Sequence, residues 1–190
     1  MKGPRISPFA RDIIHTALLS FDGMVFTNRE RCPSCGGDLQ GYDTKKKKFA
    51  TIRLSTGIRV ISVGVRRFRC RSCGSLCYAA EPFYPGSRIG SPVVDLFSAL
   101  SEVMPRSRAG RVLSAMGIIV HRTTWKNYPP RPPGAVPVLD LLGVRLPHCI
   151  VVISDMAARA GDQGTPDPED VIAACGYPSF RQEGEKDPER

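Results

Sequence analysis

Long hydrophobic runs are absent from this sequence of 190 residues. Its longest aliphatic stretch, Cys149–Ile153, is far shorter than the roughly 20 residues that a membrane-spanning helix needs. The opening segment, MKGPRISPFARD, is broken by prolines and charges, a pattern that secretory signals do not have. We therefore expect a cytoplasmic protein that neither spans a membrane nor is secreted. Aromatic residues are scarce, at 7%, whereas the 18 glycines and 17 prolines favour small, turn-rich units.

Acidic residues are scarce in the first 134 positions. That part of the chain holds 22 Lys and Arg residues against 8 Asp and Glu residues, whereas residues 135–190 hold 5 against 10. A basic body favours a polyanion as its partner. The acidic segment that follows is a candidate surface for a protein partner.

Four of the seven cysteines form two matched motifs, CPSCG at residues 32–36 and CRSCG at residues 70–74. An odd cysteine count without an export signal argues against a disulfide framework and favours a metal site. In each motif a tight turn lets two thiolates bind one ion, and the glycine permits the twist of the backbone. The other three cysteines are predicted to be small buried residues: Cys77, Cys149 and Cys175. The alternative for Cys77, four residues past Cys73, is that it replaces one of the metal ligands.

The predicted metal ligands are Cys32, Cys35, Cys70 and Cys73. Four thiolates complete the tetrahedral coordination of Zn²⁺ and leave no position open for a substrate, so the zinc is predicted to be structural. The same spacing also binds a single iron ion in rubredoxin-type electron carriers. The basic surroundings favour zinc and a polyphosphate partner over an electron carrier.

Hydrophobic periodicity predicts an α+β fold: a small antiparallel β zinc ribbon, a three-helix helix-turn-helix unit and a short helical C-terminal segment. The predicted strands are Phe49–Leu54 and Ile58–Phe68, joined by a turn at residues 55–57. Predicted helices cover residues 8–21, two segments within 91–117, a short segment from Thr123 to Tyr128, and residues 147–160 and 167–176. We divide the chain into an N-terminal helix (1–28), a zinc ribbon (29–88), a helix-turn-helix (89–128), a Pro-rich linker (129–134), an acidic helical segment (135–180) and a disordered tail (181–190).

Basic residues crowd the predicted ribbon, where residues 29–88 hold 13 basic against 4 acidic residues. Side chains at adjacent strand positions point to opposite faces, so one set of these residues can reach phosphate groups while the other is solvated. The candidate nucleic-acid contacts of the ribbon are Lys45, Lys46, Lys47, Lys48, Arg66, Arg67, Arg69 and Arg71.

Residues 91–128 have the pattern of a helix-turn-helix, in which the third helix enters the major groove of DNA. Three arginines of the second helix are candidates for contacts with the DNA backbone: Arg106, Arg108 and Arg111. The candidates for contacts with the bases are His121, Arg122, Thr123, Thr124, Lys126 and Asn127. The alternative is a three-helix packing unit without a ligand, in which Trp125 is a core residue.

Segments of residues 31–128 resemble the N-terminal DNA-binding region of prokaryotic insertion-sequence transposases. The resemblance lies in CPSCGG, FRCRSCGSLCYAAEPFYPGSRIGSPVVDL and RSRAGRVLSAMGIIVHRTTWKNY. It implies a zinc ribbon followed by a helix-turn-helix that binds the terminal repeats of the element. The stretch from Gly117 to Thr124 is longer than the usual turn between the paired helices of that family.

Transposases of this kind cut and join DNA with a ribonuclease-H-like domain, in which two Asp and one Glu hold two divalent metal ions. Only 56 residues follow Gly134, fewer than that domain needs. Asp140, Asp155 and Glu169 could be compared with the three carboxylates, but no β-α-β alternation brings them together. We therefore expect no enzymatic activity.

The sequence predicts a zinc-dependent, transposase-like DNA-binding protein without its own nuclease, with double-stranded DNA as its partner. Two alternatives stay open: a rubredoxin-like electron carrier, and a zinc-ribbon module that binds protein or RNA in transcription or translation. A homodimer and a protein partner of the acidic segment also stay open.

Overall fold

A long β-hairpin and five α-helices make up most of the described structure. The computed structural model describes residues 6–121, 123–127, 136–141, 143–161 and 165–175. These ranges contain a mixed α+β fold with five α-helices and two sheets. None of their helices is both long enough and apolar enough to cross a membrane. The strands are β1 (Val25–Phe26), β2 (Leu39–Leu54), β3 (Gly57–Cys70), β4 (Leu76–Tyr78), β5 (Val138–Leu141) and β6 (Val144–Pro147). The helices are α1 (Pro8–Leu19), α2 (Ser91–Val103), α3 (Arg106–Ala115), α4 (His148–Ala160) and α5 (Pro168–Cys175), with a 3-10 helix at Thr124–Asn127.

The larger sheet has the strand order β1-β3-β2, and β4 pairs with the far end of β3. β2 and β3 form one antiparallel hairpin from Leu39 opposite Cys70 to Leu54 opposite Gly57, and the register shifts by one residue at two places in β2, between Gly41 and Asp43 and between Lys48 and Ala50. The predicted hairpin is confirmed, but β2 begins ten residues earlier than predicted, since Leu39 and not Phe49 is its first residue. The early part of β2 is exposed on both faces, so it has no hydrophobic alternation from which a strand could be predicted.

The end of the hairpin that is remote from its turn forms an arm, which we define as residues 39–44 paired with residues 66–70. Cys70 is the one fully buried side chain of this arm. Its two strands are held together by the backbone ladder, by an ion pair between Arg67 and the directly opposed Asp43, and by the pairing of β4. The apolar packing of the arm is small: Leu39 packs against the buried cluster of Cys32, Cys70 and Cys77, and Phe68 packs against the main core.

The main core forms where the central part of the hairpin meets the helices. One face of β3 is fully buried in this core through Ile61, Val63 and Val65. Each of the five helices also contributes buried residues to it. Phe49 stacks on Phe21 of the α1–β1 connection with a centroid distance of 4.2 Å. Burial of these apolar side chains is the main stabilising term of the fold.

The segment predicted to be a helix-turn-helix contains α2 and α3 as expected, but the third helix is a single 3-10 turn, Thr124–Asn127. Its Trp125 ring is buried and stacks on Phe97 of α2 at 4.0 Å, which fixes the turn against α2. The Pro129-Pro130 pair that follows in the sequence disfavours a longer helix. The predicted three-helix arrangement is therefore not confirmed.

The C-terminal part contains the two predicted helices, α4 and α5, and also a small hairpin of β5 and β6 that was not predicted. α4 packs against α1, and β6 packs against α2, with Leu146 fully buried. The strands of this hairpin have four residues each, too few for a clear periodicity of hydrophobic residues. The predicted linker at 129–134 and tail at 181–190 lie outside the described residues.

A glycine at the start of α2 is required by the aromatic core. Gly90 donates its backbone N–H to Phe49 O at 2.9 Å, and a Cβ at this position would overlap the Phe49 ring. We expect Gly90→Ala to lower the free energy of unfolding by about 1–3 kcal/mol, because the buried ring must move. Urea unfolding of purified variants measures this change.

Gly110→Ala is the matched control. Gly110 lies inside α3, and a Cβ there would be 3.7 Å from the nearest atom, an ordinary contact with Trp125. Alanine should raise the free energy of unfolding by about 0.5–1 kcal/mol, because glycine is unfavourable inside a helix. Destabilisation by both substitutions to the same extent would contradict the packing described around Phe49.

Candidate metal centre

The two cysteine motifs fold into matching turns at the end of the arm. In the first turn the backbone N–H of Gly36 donates to Cys32 O at 2.9 Å, and in the second the N–H of Gly74 donates to Cys70 O at 3.0 Å. Gly36 and Gly74 have φ values of +70° and +72°, in the left-handed region that favours glycine. The repeated glycine of the sequence motif is thus explained by the backbone of each turn.

The four predicted ligands come together as one cluster, in which the Sγ atoms of Cys32, Cys35, Cys70 and Cys73 all lie within 4.8 Å of one another. The Sγ–Sγ distance is 3.7 Å between Cys32 and Cys73 and 3.5 Å between Cys35 and Cys70. In a tetrahedral site with Zn–S bonds of about 2.3 Å, the sulfur atoms lie roughly 3.8 Å apart. The cluster therefore suits one tetrahedral metal ion and is consistent with zinc, although the geometry does not identify the metal.

Close contact between the two turns depends on the second glycine of the first motif. A Cβ at Gly37 would lie 2.5 Å from Ser72 Oγ and 3.2 Å from Cys70 Sγ, so a side chain there would push the turns apart. The turns are also linked by the backbone, because Arg71 N–H donates to Asp38 O at 3.0 Å. This linkage brings the four sulfur atoms into one cluster, although the two turns are far apart in the sequence.

The thiols differ in how easily they ionise. Burial opposes ionisation of Cys32, but hydrogen bonds from backbone N–H groups of its own turn and from the Cys73 thiol lower its pKa to about 6. For Cys35, a hydrogen bond from Gly37 N–H favours the thiolate, whereas the Cys70 side chain opposes it, and its pKa is raised to about 12. Four thiolates cannot ionise together at this spacing without a cation, since like charges this close repel strongly.

A fifth sulfur lies against the cluster, and the sequence did not predict this contact. Cys77 of β4 is buried as expected, and its Sγ is 3.8 Å from Cys32 Sγ. Burial and the neighbouring Cys32 raise the pKa of Cys77 to about 11, so its thiol is neutral at neutral pH. Cys77 opposes Phe68 in the β3–β4 pairing, and this register, which spacing alone does not reveal, brings it to the cluster.

The predicted nucleic-acid contacts of the ribbon fall into two groups. Lys47 is ion-paired with Glu81 at 2.6 Å, and Arg67 is ion-paired with Asp43. The others are exposed, and within the described ranges they make no ion pair: Lys45, Lys46, Lys48, Arg66, Arg69 and Arg71. Two of the eight predicted residues are thus already neutralised by carboxylates.

The predicted contacts in the helical segment are less uniform. Arg106 donates to Trp125 O at 2.6 Å and is therefore used inside the protein, whereas Arg108 and Arg111 are exposed on α3. His121 Nδ1 is 2.7 Å from Thr123 Oγ1, and Thr124 begins the 3-10 helix. Arg122 lies outside the described residues, as do the side chains of Lys126 and Asn127.

The three carboxylates that were compared with a nuclease site do not form a cluster. Asp140 lies 3.8 Å from Arg145, Asp155 pairs with Arg159 at 2.9 Å, and Glu169 lies in the first turn of α5. In the part of the chain that the structure describes, the four-cysteine cluster is the one group of three or more side chains placed to hold a metal ion.

Substitution of a predicted ligand should remove the metal, whereas substitution of Cys77 should not. We expect Cys35→Ser to lower the zinc content of the purified protein from one per chain to well below that, because three thiolates do not complete the site. Cys77→Ala should keep one zinc per chain, with at most a modest loss of stability from the small cavity. Elemental analysis of both variants gives the answer, and loss of zinc in Cys77→Ala alone would reverse the assignment.

Comparisons with known proteins find no match for this chain among family models, curated proteins or solved structures. The resemblance to the DNA-binding region of transposases therefore rests on the sequence motifs quoted above. The metal centre and its surroundings are the features from which a function must be argued.

Proposed function

We propose that this protein is a zinc-dependent DNA-binding protein, in which a structural zinc ion holds the arm in shape and the basic hairpin contacts double-stranded DNA. The observation that carries the proposal is the position of the four-cysteine cluster at the end of the most basic stretch of the chain. The cluster joins residues 32–35 to residues 70–73, and the strands that lead away from it hold the exposed lysines and arginines.

The chemistry of the cluster supports an architectural role for the metal. Four thiolates fill a tetrahedral coordination sphere, so no position remains for a substrate or a catalytic water. The arm that ends at the cluster has little buried apolar surface. Binding of structural zinc contributes about 10–16 kcal/mol in small modules, which compensates for such a deficit.

The charges around the cluster support a polyanionic partner. The net charge of the chain is +9, and the hairpin carries exposed basic side chains that no carboxylate of the described ranges neutralises. Phosphate contacts from such residues supply most of the affinity of sequence-independent DNA binding. In this proposal the protein is transposase-like in its DNA-binding part.

Removal of the metal should weaken DNA binding. We expect the zinc-loaded protein to bind a mixed-sequence DNA duplex with an affinity that falls linearly with the logarithm of salt concentration. Treatment with a chelator should weaken binding at least tenfold, and an equimolar addition of Zn²⁺ should restore it, because loss of the metal frees the arm, which carries Arg66, from the part of the hairpin that carries Lys46 and Lys48. Fluorescence anisotropy with a labelled duplex measures both effects.

Two results would contradict the proposal. One is equal DNA affinity with and without the metal. The other is a purified protein that contains iron, absorbs visible light and has no affinity for DNA, which is the behaviour of an electron carrier.

A further inference from the structure

The hairpin sorts its basic residues onto two faces of the sheet. Directly opposed residues of an antiparallel pair lie on the same face. Lys45 and Lys47 oppose Val65 and Val63, whose side chains are fully buried in the core, so these two lysines lie on the core side of the sheet. Lys46 and Lys48, which alternate with them along β2, lie on the other side.

That other side of the hairpin carries a continuous set of exposed cations. Lys46 opposes Gly64, Lys48 opposes Ser62, and Arg66 opposes Thr44. Lys46, Lys48 and Arg66 are all exposed. We call this surface the basic face, and it consists of Thr44, Lys46, Lys48, Ser62, Gly64 and Arg66.

The two faces differ in how their charges are balanced. On the core side, Lys47 is paired with the buried Glu81 and Arg67 with Asp43. No residue of β2 or β3 on the basic face is acidic. The carboxylate beside this face, Asp22, accepts the backbone N–H of Ser62 at 3.1 Å and is already paired with Arg59 at 2.8 Å. Lys46 also lies close enough to Asp22 to help lower the pKa of that carboxyl, whereas Lys48 and Arg66 form no ion pair within the described ranges and keep their charge for an external anion.

Small residues lie opposite the two lysines of the basic face, Gly64 opposite Lys46 and Ser62 opposite Lys48. The neighbouring side chains close over Gly64, since a Cβ there would lie 3.1 Å from Thr44 Cγ2 and 3.2 Å from Val25 Cγ2. The guanidinium of Arg66 lies across Gly41, with Nη2 2.7 Å from the place that a Cβ of that glycine would occupy. The three cations are themselves exposed, so the phosphates of a partner can reach them.

We infer that the basic face is the surface on which the sugar–phosphate backbone of double-stranded DNA docks, so that strands rather than a recognition helix make the main contact. This inference rests on the proposed function and specifies its partner and its surface. Three cations on one face of the sheet can contact the phosphates of one DNA strand, and such contacts supply most of the affinity of sequence-independent binding. The short 3-10 turn in place of the third helix also favours contact through the strands.

The test compares two triple variants that lose the same net charge. The first, Lys46→Gln with Lys48→Gln and Arg66→Gln, removes the cations of the basic face. The second, Lys45→Gln with Arg69→Gln and Arg88→Gln, removes three exposed cations that lie on the core side of the hairpin or away from it. Zinc content and circular dichroism verify that both variants keep the fold of the wild-type protein.

We expect the basic-face variant to bind a mixed-sequence DNA duplex at least tenfold more weakly than the wild type at low salt. The slope of log K against log salt should become shallower by about 2.7, since each lost phosphate contact removes roughly 0.9. The second variant, with Lys45, Arg69 and Arg88 replaced, should lose less than about threefold in affinity for the same duplex. Equal losses in the two variants, or a basic-face variant that loses affinity for duplex RNA but not for DNA, would overturn the inference. Absence of DNA binding by the zinc-loaded wild type would instead overturn the proposed function itself.

Discussion

The structure of the arm depends on one constraint, the close approach of four cysteine sulfur atoms at its end. Cys32 and Cys73 are separated by 41 positions and Cys35 and Cys70 by 35, yet their Sγ atoms lie 3.7 Å and 3.5 Å apart. Closing these loops costs conformational entropy, and the arm buries too little apolar surface to offset that cost. A cation bound by four thiolates would supply the missing stabilisation, and it would also relieve the repulsion between thiolates at this spacing.

The pairing of the two strands determines how the hairpin presents its charge. The sheet order leaves β2 at an edge, and charged residues such as Lys46 and Lys48 protect an edge strand from pairing with another chain. The same residues lie on a face to which neither β2 nor β3 contributes a carboxylate, and they form a surface suited to a polyanion. On the opposite side, Lys47 is neutralised by Glu81, and its Nζ lies over the rings of Tyr78 and Phe83. Lys47 therefore contributes to the stability of the protein at the edge of the core. Alternation along one strand thus separates a structural lysine from two that face solvent.

Local signals in the sequence predicted a large part of the fold. The cysteine motifs with their glycines predicted the two turns and the cluster, and periodic apolar residues predicted the five helices within a few positions. Features set by contacts distant in sequence were not predictable in this way. The register of β4 brings Cys77 to the cluster, and stacking on Phe97 fixes Trp125 in a 3-10 turn where a third helix was expected. The ion pair between Lys47 and Glu81 also depends on the tertiary fold. The four consecutive lysines are therefore indistinguishable in the sequence, although Lys47 is ion-paired in the structure and its neighbours are exposed.

The central claim is that the metal holds the arm, while the core of helices and sheet stands without it. Hydrogen exchange of the zinc-loaded and the chelated protein, measured by mass spectrometry on peptides of each segment, tests this claim most directly. On chelation, we predict that peptides covering residues 39–44 and 66–70 lose their protection, whereas peptides from α1 and from residues 61–65 keep theirs. Unchanged protection of the arm in the chelated protein would contradict the account.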